Sequence, residues 1–296
     1  MLVTLGGVIM NKTQKGIIFT VIATFIFGFT PIMSKMTYAM GNNGVQMAFL
    51  RHLFVIPIFL FIVIRKELSL KINKQQAKDI IFVSSASALT IVTLYSSYSY
   101  IGVGTATVLH FLYPLFVCLI NFLFYKQKLN KMHILCLILS FLGVVCFIEK
   151  GQTSFIGFFL AIISSLFFAY YMVGMDHTSI REVSPYVFNF YLVSFNTIII
   201  AIVAFFTHSF HIMPISGYLI SASVAILASL IGVVLLQKGI YYLGASLAAI
   251  LSTLEPFTSI LFGILFLNEK LTIQIAVGCV LILISTFLLV KYQNKS

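Results

Sequence analysis

A chain of 296 residues that is 60% hydrophobic and only 8% charged, with a mean hydropathy of +1.10, lies far from the soluble globular range, where about a quarter of residues carry charge. The formal net charge of +11 could suggest a nucleic-acid partner, but the basic residues are scattered over the connections between apolar stretches, which excludes a basic binding face. The four cysteines form no CxxC pair and have no histidine at metal-ligand spacing, so no disulfide framework, metal site or cofactor is expected.

In chain order, the sequence offers one apolar stretch after another of the length that crosses a hydrocarbon core, about 20 residues for about 30 Å. Ten spans are expected, over 16–38, 45–64, 80–98, 103–124, 132–148, 155–175, 186–206, 217–236, 245–267 and 272–290. Whole windows are apolar rather than alternating, which favours helices over a barrel. The fold class is therefore an all-α polytopic membrane protein. A terminal segment 1–15 precedes a five-helix unit over 16–148; a linker over 149–154 leads to a second unit over 155–290, and 291–296 close the chain. Residues 1–15 hold too short an apolar run for a cleaved signal peptide, and Met10, ahead of NKTQK, is an alternative start.

Basic residues give the orientation. With a cytoplasmic N-terminus, fourteen of them fall on inside segments (Lys12, Lys15, Arg65, Lys66, Lys71, Lys74, Lys78, Lys126, Lys128, Lys131, Arg181, Lys238, Lys291, Lys295) and three outside (Lys35, Lys150, Lys270), with Arg51 set aside within a span. That bias predicts both termini in the cytoplasm and a place in the cell membrane.

The chain also repeats itself. Tyr100, Gly102, Ala106, Leu109, Leu112, Pro114, Leu119, Leu123, Phe124, Lys128 and Leu129 recur 142 residues later as Tyr242, Gly244, Ala248, Leu251, Leu254, Pro256, Leu261, Leu265, Phe266, Lys270 and Leu271. Gly16 with Gly157, Phe27 with Phe168 and Phe49 with Phe190 echo this at an offset of 141. Five spans per unit is an odd number, so the second unit enters the membrane upside down. Inverted repeats place a substrate site near the midplane between the halves and allow alternating access.

Few charged residues fall inside the spans: Lys35, Arg51 and Glu255. Each is costly in hydrocarbon and needs a cavity or a partner. Glu255 lies about 15 Å into its span, where a short side chain cannot reach water, and Pro256 beside it frees a backbone carbonyl near Ser252. Ser252, Glu255 and Ser259 are expected on one helical stripe. Glu255 is read either as a substrate-cation or proton site or as the permanent partner of Lys35 or Arg51. Arg51, about 9 Å deep, either snorkels or offers a bidentate fork to a carboxylate; Lys35, shallower, is better explained by snorkelling or pairing.

His110, Tyr113 and Asn121 form the matching stripe of the first unit, His110 opposite Ser252 and Tyr113 opposite Glu255. His110 is a candidate for proton coupling, against the more common role of a hydrogen-bonded packing residue. Tyr95, Tyr98, Tyr113, Tyr170, Tyr171 and Tyr191 could box an organic cation, although belt and packing roles fit most of them. Pro31 and Pro57 are tolerated bends, whereas Pro114 and Pro256, paired by the repeat, are the hinge candidates. Gly102 to Ala106 and Gly244 to Ala248 are small pairs for close helix packing.

The segment LSTLEPFTSILFGILFLNEKLT, with Leu254, Glu255, Pro256, Asn268, Glu269, Lys270 and Leu271, resembles the signature of the EamA family in the drug/metabolite transporter superfamily. Tyr113-Pro114 and Lys126-Gln127-Lys128-Leu129 look like a diverged copy; Phe27, Gly28 and Lys35, and Phe49, Leu50 and Arg51, are also family-like. The resemblance spans nearly the whole chain and implies ten spans and transport of amino acids, sugars, nucleotide-type metabolites, choline-like cations or drugs.

The expected function is a secondary transporter for a small metabolite, an amino acid or a related compound, in the export direction, with proton coupling as a candidate energy source. A choline-like cation or drug transporter and a lipid-carrier flippase are the alternatives. An intramembrane enzyme is disfavoured because HExxH, GxSxG and paired carboxylates are absent from the sequence. Without a GxxxxGKS loop, no ATPase subunit is expected. The expected partners are a small-molecule substrate and the lipid bilayer, not nucleic acid, in a monomer or weak homodimer.

Overall fold

Asparagines set where several spans begin. Asn11 and Gln14 form a reciprocal capping box at 2.7 and 3.1 Å, Asn73 and Gln76 another at 2.8 and 3.0 Å, and Asn43 and Asn130 cap two more helices. Each supplies an acceptor for the orphan N–H groups of a first turn. The computed structural model describes residues 11–101, 103–146, 154–267 and 272–293, and every regular element among them is helical.

The first repeat holds α1 (Lys12–Tyr38), α2 (Gly44–Leu53), α3 (Ile56–Arg65), α4 (Lys74–Ser97), α5 (Val103–His110), α6 (Tyr113–Tyr125) and α7 (Lys131–Val145). The second holds α8 (Phe155–His177), α9 (Pro185–Phe206), α10 (Ile215–Val224), a π-helical segment (Ala225–Gly232), α11 (Val233–Leu243), α12 (Ala245–Ser252), α13 (Leu254–Leu267) and α14 (Ile273–Gln293). Joined end to end across short breaks, these give 8 stretches of membrane length and two shorter apolar helices, Lys131–Val145 and Ile273–Leu289. The protein is a ten-span membrane protein built from two inverted five-helix repeats.

The packing obeys the inversion. α1 lies against α11 and α13, and its counterpart α8 against α4 and α6; α7 pairs with α14, and α2 and α3 with α9. Glycines show how tightly this is drawn. A Cβ on Gly16 would meet Leu243 Cγ at 2.6 Å and Tyr242 Cβ at 2.9 Å; on Gly157 it would meet Ile101 Cγ2 at 2.7 Å and Tyr100 Cβ at 2.9 Å. The echo of Gly16 in Gly157 thus records one helix crossing made twice, at opposite ends of the bundle.

Two spans break at repeat-matched places. α5 ends at His110 and α6 begins at Tyr113; 142 residues on, α12 ends at Ser252 and α13 begins at Leu254. Pro114 and Pro256 stand just inside the second helix of each pair, where the missing N–H is harmless. Pro31, by contrast, sits inside an unbroken α1, and Pro57 follows a break at residues 54 and 55 that separates α2 from α3.

The structure moves some expected boundaries. The third span starts at Lys74 rather than 80, because the Asn73 cap extends the helix past the apolar run. The eighth runs from Ile215 to Leu243 and carries Lys238 on the helix, its Nζ 5.6 Å from the Phe19 ring centre. Hydropathy gave no sign of the π turns within it. The linker 149–154 and Lys150, Gly102, Asn268 to Leu271, Lys295 and Met10 lie, wholly or largely, outside the described residues.

Candidate functional site

The two broken spans cross with their breaks facing each other. Tyr113, 2% exposed, lies beside Ser252 across the repeat boundary. Ser252 donates to Ala248 O of its own helix at 2.9 Å. The electrostatic influence of Glu255 also reaches Tyr113. Tyr113, Ser252 and Glu255 therefore form one cluster drawn from both repeats, about 15 Å into each span.

Glu255 is half-buried, in the first turn of α13. Its side chain makes no hydrogen bond or ion pair among the described residues, although Arg51 lies within electrostatic reach. Of the two readings of Glu255, the one that pairs it with Lys35 or Arg51 has no ion pair to either among the described residues. Ser252 and Glu255 do not continue one regular helical stripe either, because the chain turns at Thr253 between them.

Arg51, also half-buried, donates from Nε to Ser229 Oγ at 3.0 Å, across the repeat boundary into the π-helical segment. Its charge acts on Tyr38, Tyr95 and Tyr171 as well as on Glu255 and His52. A cation held by one hydrogen bond to a neutral hydroxyl keeps its remaining N–H donors available among the described residues. Lys35 is exposed in the last turn of α1, near Tyr38 in sequence.

His110 is held by one hydrogen bond and by ring packing. Its Nδ1 is 3.0 Å from Ser164 Oγ, and its ring packs against Tyr113 and Phe168 with centres 5.7 and 5.3 Å apart. Phe168 meets Tyr113 edge-on at 4.7 Å, so one wall of the cluster is aromatic. Of the tyrosines singled out in the sequence, Tyr95, Tyr113 and Tyr171 belong to this region, whereas Tyr191 donates to Leu70 O at 2.7 Å.

Several contributors were missed by reading the sequence: Ser229, and buried His52 and Asn196 with half-buried Ser87. Asn196 donates to Ser87 Oγ at 3.0 Å and contacts His52 Nε2 at 3.4 Å, while His52 Nδ1 holds Ala48 O at 2.7 Å. Ser87 and Ser229 are 142 residues apart and do the same job in each repeat, accepting from a side chain of the neighbouring span. That offset was the available signal. A separate groove of about 460 Å³, lined by Val21, Ile22, Phe25, Ile26, Phe29, Leu227 and Phe262, has no polar lining and lies apart from these charges.

Comparison with known proteins agrees with this architecture. The profile of the EamA-like transporter family matches residues 14–148 and again 155–291. The chain belongs to that family. Among its relatives, an uncharacterized transporter of Synechocystis sp. is 24% identical over 98% of this chain and 97% of its own length. The uncharacterized transporter YcbK of Bacillus subtilis is 25% identical over 91% of each chain, and the uncharacterized inner membrane transporter YicL of Salmonella typhimurium 25% identical over 95% and 96%. A crystal structure of a protein 14% identical to this one superposes with a TM-score of 0.79, covering 95% of this chain and 98% of the other, which places the fold alone. An EamA transporter with this duplicated, broken-helix core is a membrane permease by family.

Proposed function

We propose that this EamA transporter carries a small zwitterionic metabolite, an amino acid or a close relative, outward across the cell membrane by alternating access between its repeats. The observation that carries the reading is a separated charge pair: Glu255 at the break of its span, without a protein partner among the described residues, and Arg51 on α2, within electrostatic reach of it and held through Nε by Ser229. An α-carboxylate suits the guanidinium and an α-ammonium suits the carboxylate. A lone organic cation fits less well, because Arg51 would repel it. The excess of Lys and Arg on alternate connections supports cytoplasmic termini.

Glu255 is also the natural proton carrier, since a carboxylate that must shed its charge when the substrate leaves can load a proton instead. The test uses proteoliposomes. A thermal-shift screen of metabolites on purified protein first identifies a ligand, since binding to the folded state raises apparent stability. Flux of that ligand under an imposed pH gradient is then compared for the parent and Glu255→Gln. Gradient-driven flux that Glu255→Gln leaves intact would sink the proton role; a screen yielding only cations without a carboxylate would sink the zwitterion.

A further inference from the structure

The two ends of the bundle are not equivalent. At the end bearing Arg65, Lys74 and Arg181, α6 packs against α12, α8 against α12, and α8 against α11. The repeat-related pairs at the other end, α13 with α5, α1 with α5 and α1 with α4, have no comparable contact among the described residues. One end is shut, and side-chain chemistry shuts it. Asn121 Nδ2 donates to Ser246 Oγ at 2.8 Å, and Ser246 Oγ donates in turn to Gln127 Oε1 at 3.1 Å, joining the end of the fourth span to the start of the ninth. Beside them, Asp176 accepts from the Ala245 N–H at 2.8 Å and so caps the first turn of α12. Arg181 clasps Asp176 Oδ1 at 2.6 Å and reaches Tyr241 O at 3.1 Å.

The repeat does not supply this set twice. The positions matching Asn121 and Ser246 are Gly263 and Gly104, neither of which has a side chain to donate or accept, and the position matching Asp176 is Lys35. A lysine cannot cap a helix N-terminus. We infer that Asn121, Ser246 and Gln127, with Asp176 on the Ala245 N–H, are a gate latch that holds the cytoplasmic end closed and must open for the central site to face the cytoplasm. This rests on the alternating-access reading above and on the cytoplasmic placement of the basic end. Three features suit a latch over a permanent weld. Gln127 is exposed, so water can replace its bond. The hydrogen bonds of Asn121 and Ser246 are neutral, each of modest net strength. Finally, Asn121 Oδ1 is buried and unpartnered, so the amide is held by one side only.

The experiment places a single reporter cysteine at the central site, Ser252→Cys, in a chain whose four native cysteines are replaced. An impermeant thiol reagent is applied to right-side-out and inside-out vesicles. Adding Ser246→Ala, which removes both bonds at the loss of one oxygen, should raise labelling from the cytoplasmic face by on the order of tenfold, as expected for two neutral hydrogen bonds. Asn121→Leu, close to isosteric, should do the same, so one poorly folded variant does not decide the matter. Retained labelling from the outer face shows that the fold is intact. Cytoplasmic labelling unchanged in both variants, with outer labelling retained, overturns the latch and leaves alternating access standing. Absence of labelling from either face in every variant overturns the central pathway and the latch with it.

Discussion

Arg51 reaches from one repeat into the other, its Nε bonded to Ser229 Oγ at 3.0 Å, and Asn196 does the reverse, its Nδ2 bonded to Ser87 Oγ at 3.0 Å. The serines are repeat partners; the donors are not, since the position matching Arg51 is Leu192 and that matching Asn196 is Val55. The same scaffold contact therefore holds a charged donor on one side and a neutral amide on the other. Duplication supplied the frame, and divergence within it placed a single cation beside Glu255.

Removing the tether should loosen the cation without removing it. Ser229→Ala frees the Arg51 side chain, so the half-saturating concentration of a transported carboxylate should rise by about threefold to tenfold, the worth of one charge-assisted hydrogen bond in part replaced by water. Arg51→Gln should raise it further. Concentration dependence of uptake into proteoliposomes measures both; equal, unaltered values for the two variants would remove Arg51 from the binding site.

The matched helix crossings make a stability prediction. Gly16→Ala and Gly157→Ala each push a methyl group into side-chain carbons within 3 Å, close to their attachment points rather than at flexible tips, so backbone must yield. Each should cost about 1–3 kcal/mol. The sites lie at opposite ends of the bundle, so the double variant should show nearly the sum. The buried thiols of Cys118, Cys136 and Cys279 provide the readout, through a thiol-reactive dye followed during heating in detergent. A double variant no worse than either single one would mean that the two crossings are not independent.

His110 has a defined tautomer. Ser164 spends its one hydroxyl proton on Ala161 O at 2.6 Å, so at 3.0 Å from Nδ1 it accepts, and the neutral ring carries its proton on Nδ1. Ser164→Ala should then strand a buried N–H and cost about 1–3 kcal/mol. Ser165→Ala is the control, because its hydroxyl bonds only the Ile162 carbonyl of its own helix at 2.6 Å. Equal melting temperatures for the two would show that the His110 bond adds nothing to the fold.

The legible part of this molecule was whatever periodicity and composition encode. Apolar length gave ten crossings, an odd number per repeat gave inversion, and Pro114 with Pro256 marked the breaks. Glu255 and Arg51 were visible because a charge in an apolar window stands out. Ser229, Ser87, Asn196 and His52 were not, since small polar residues are common in membrane helices and their pairing depends on which helices adjoin. Asn121 stood out on the first unit's stripe, but its partner Ser246 did not, because their pairing breaks the symmetry that made the rest readable, with Gly263 and Gly104 in the matching places.

The paired breaks carry the last prediction. Pro256 denies Ser252 O its usual helical donor, and at the turn Thr253 Oγ1 donates to Ile250 O at 2.7 Å and lies 3.1 Å from Ser140 Oγ, which itself meets Ser285 Oγ at 2.8 Å. Ser140 and Ser285 belong to α7 and α14, which pack on each other, so the break abuts a paired helix unit. Pro256→Ala restores the donor and lets α12 and α13 join into one straighter helix. Pro256 is buried, so losing its ring carbons should lower the melting temperature by several degrees, while transport turnover falls by about tenfold or more, as for a hinge that sets the rate of a conformational step. Pro114→Ala should slow transport through α5 and α6 in the same way. Proteoliposome flux at saturating substrate separates turnover from binding, and unaltered turnover in both variants would reduce these prolines to inherited bends.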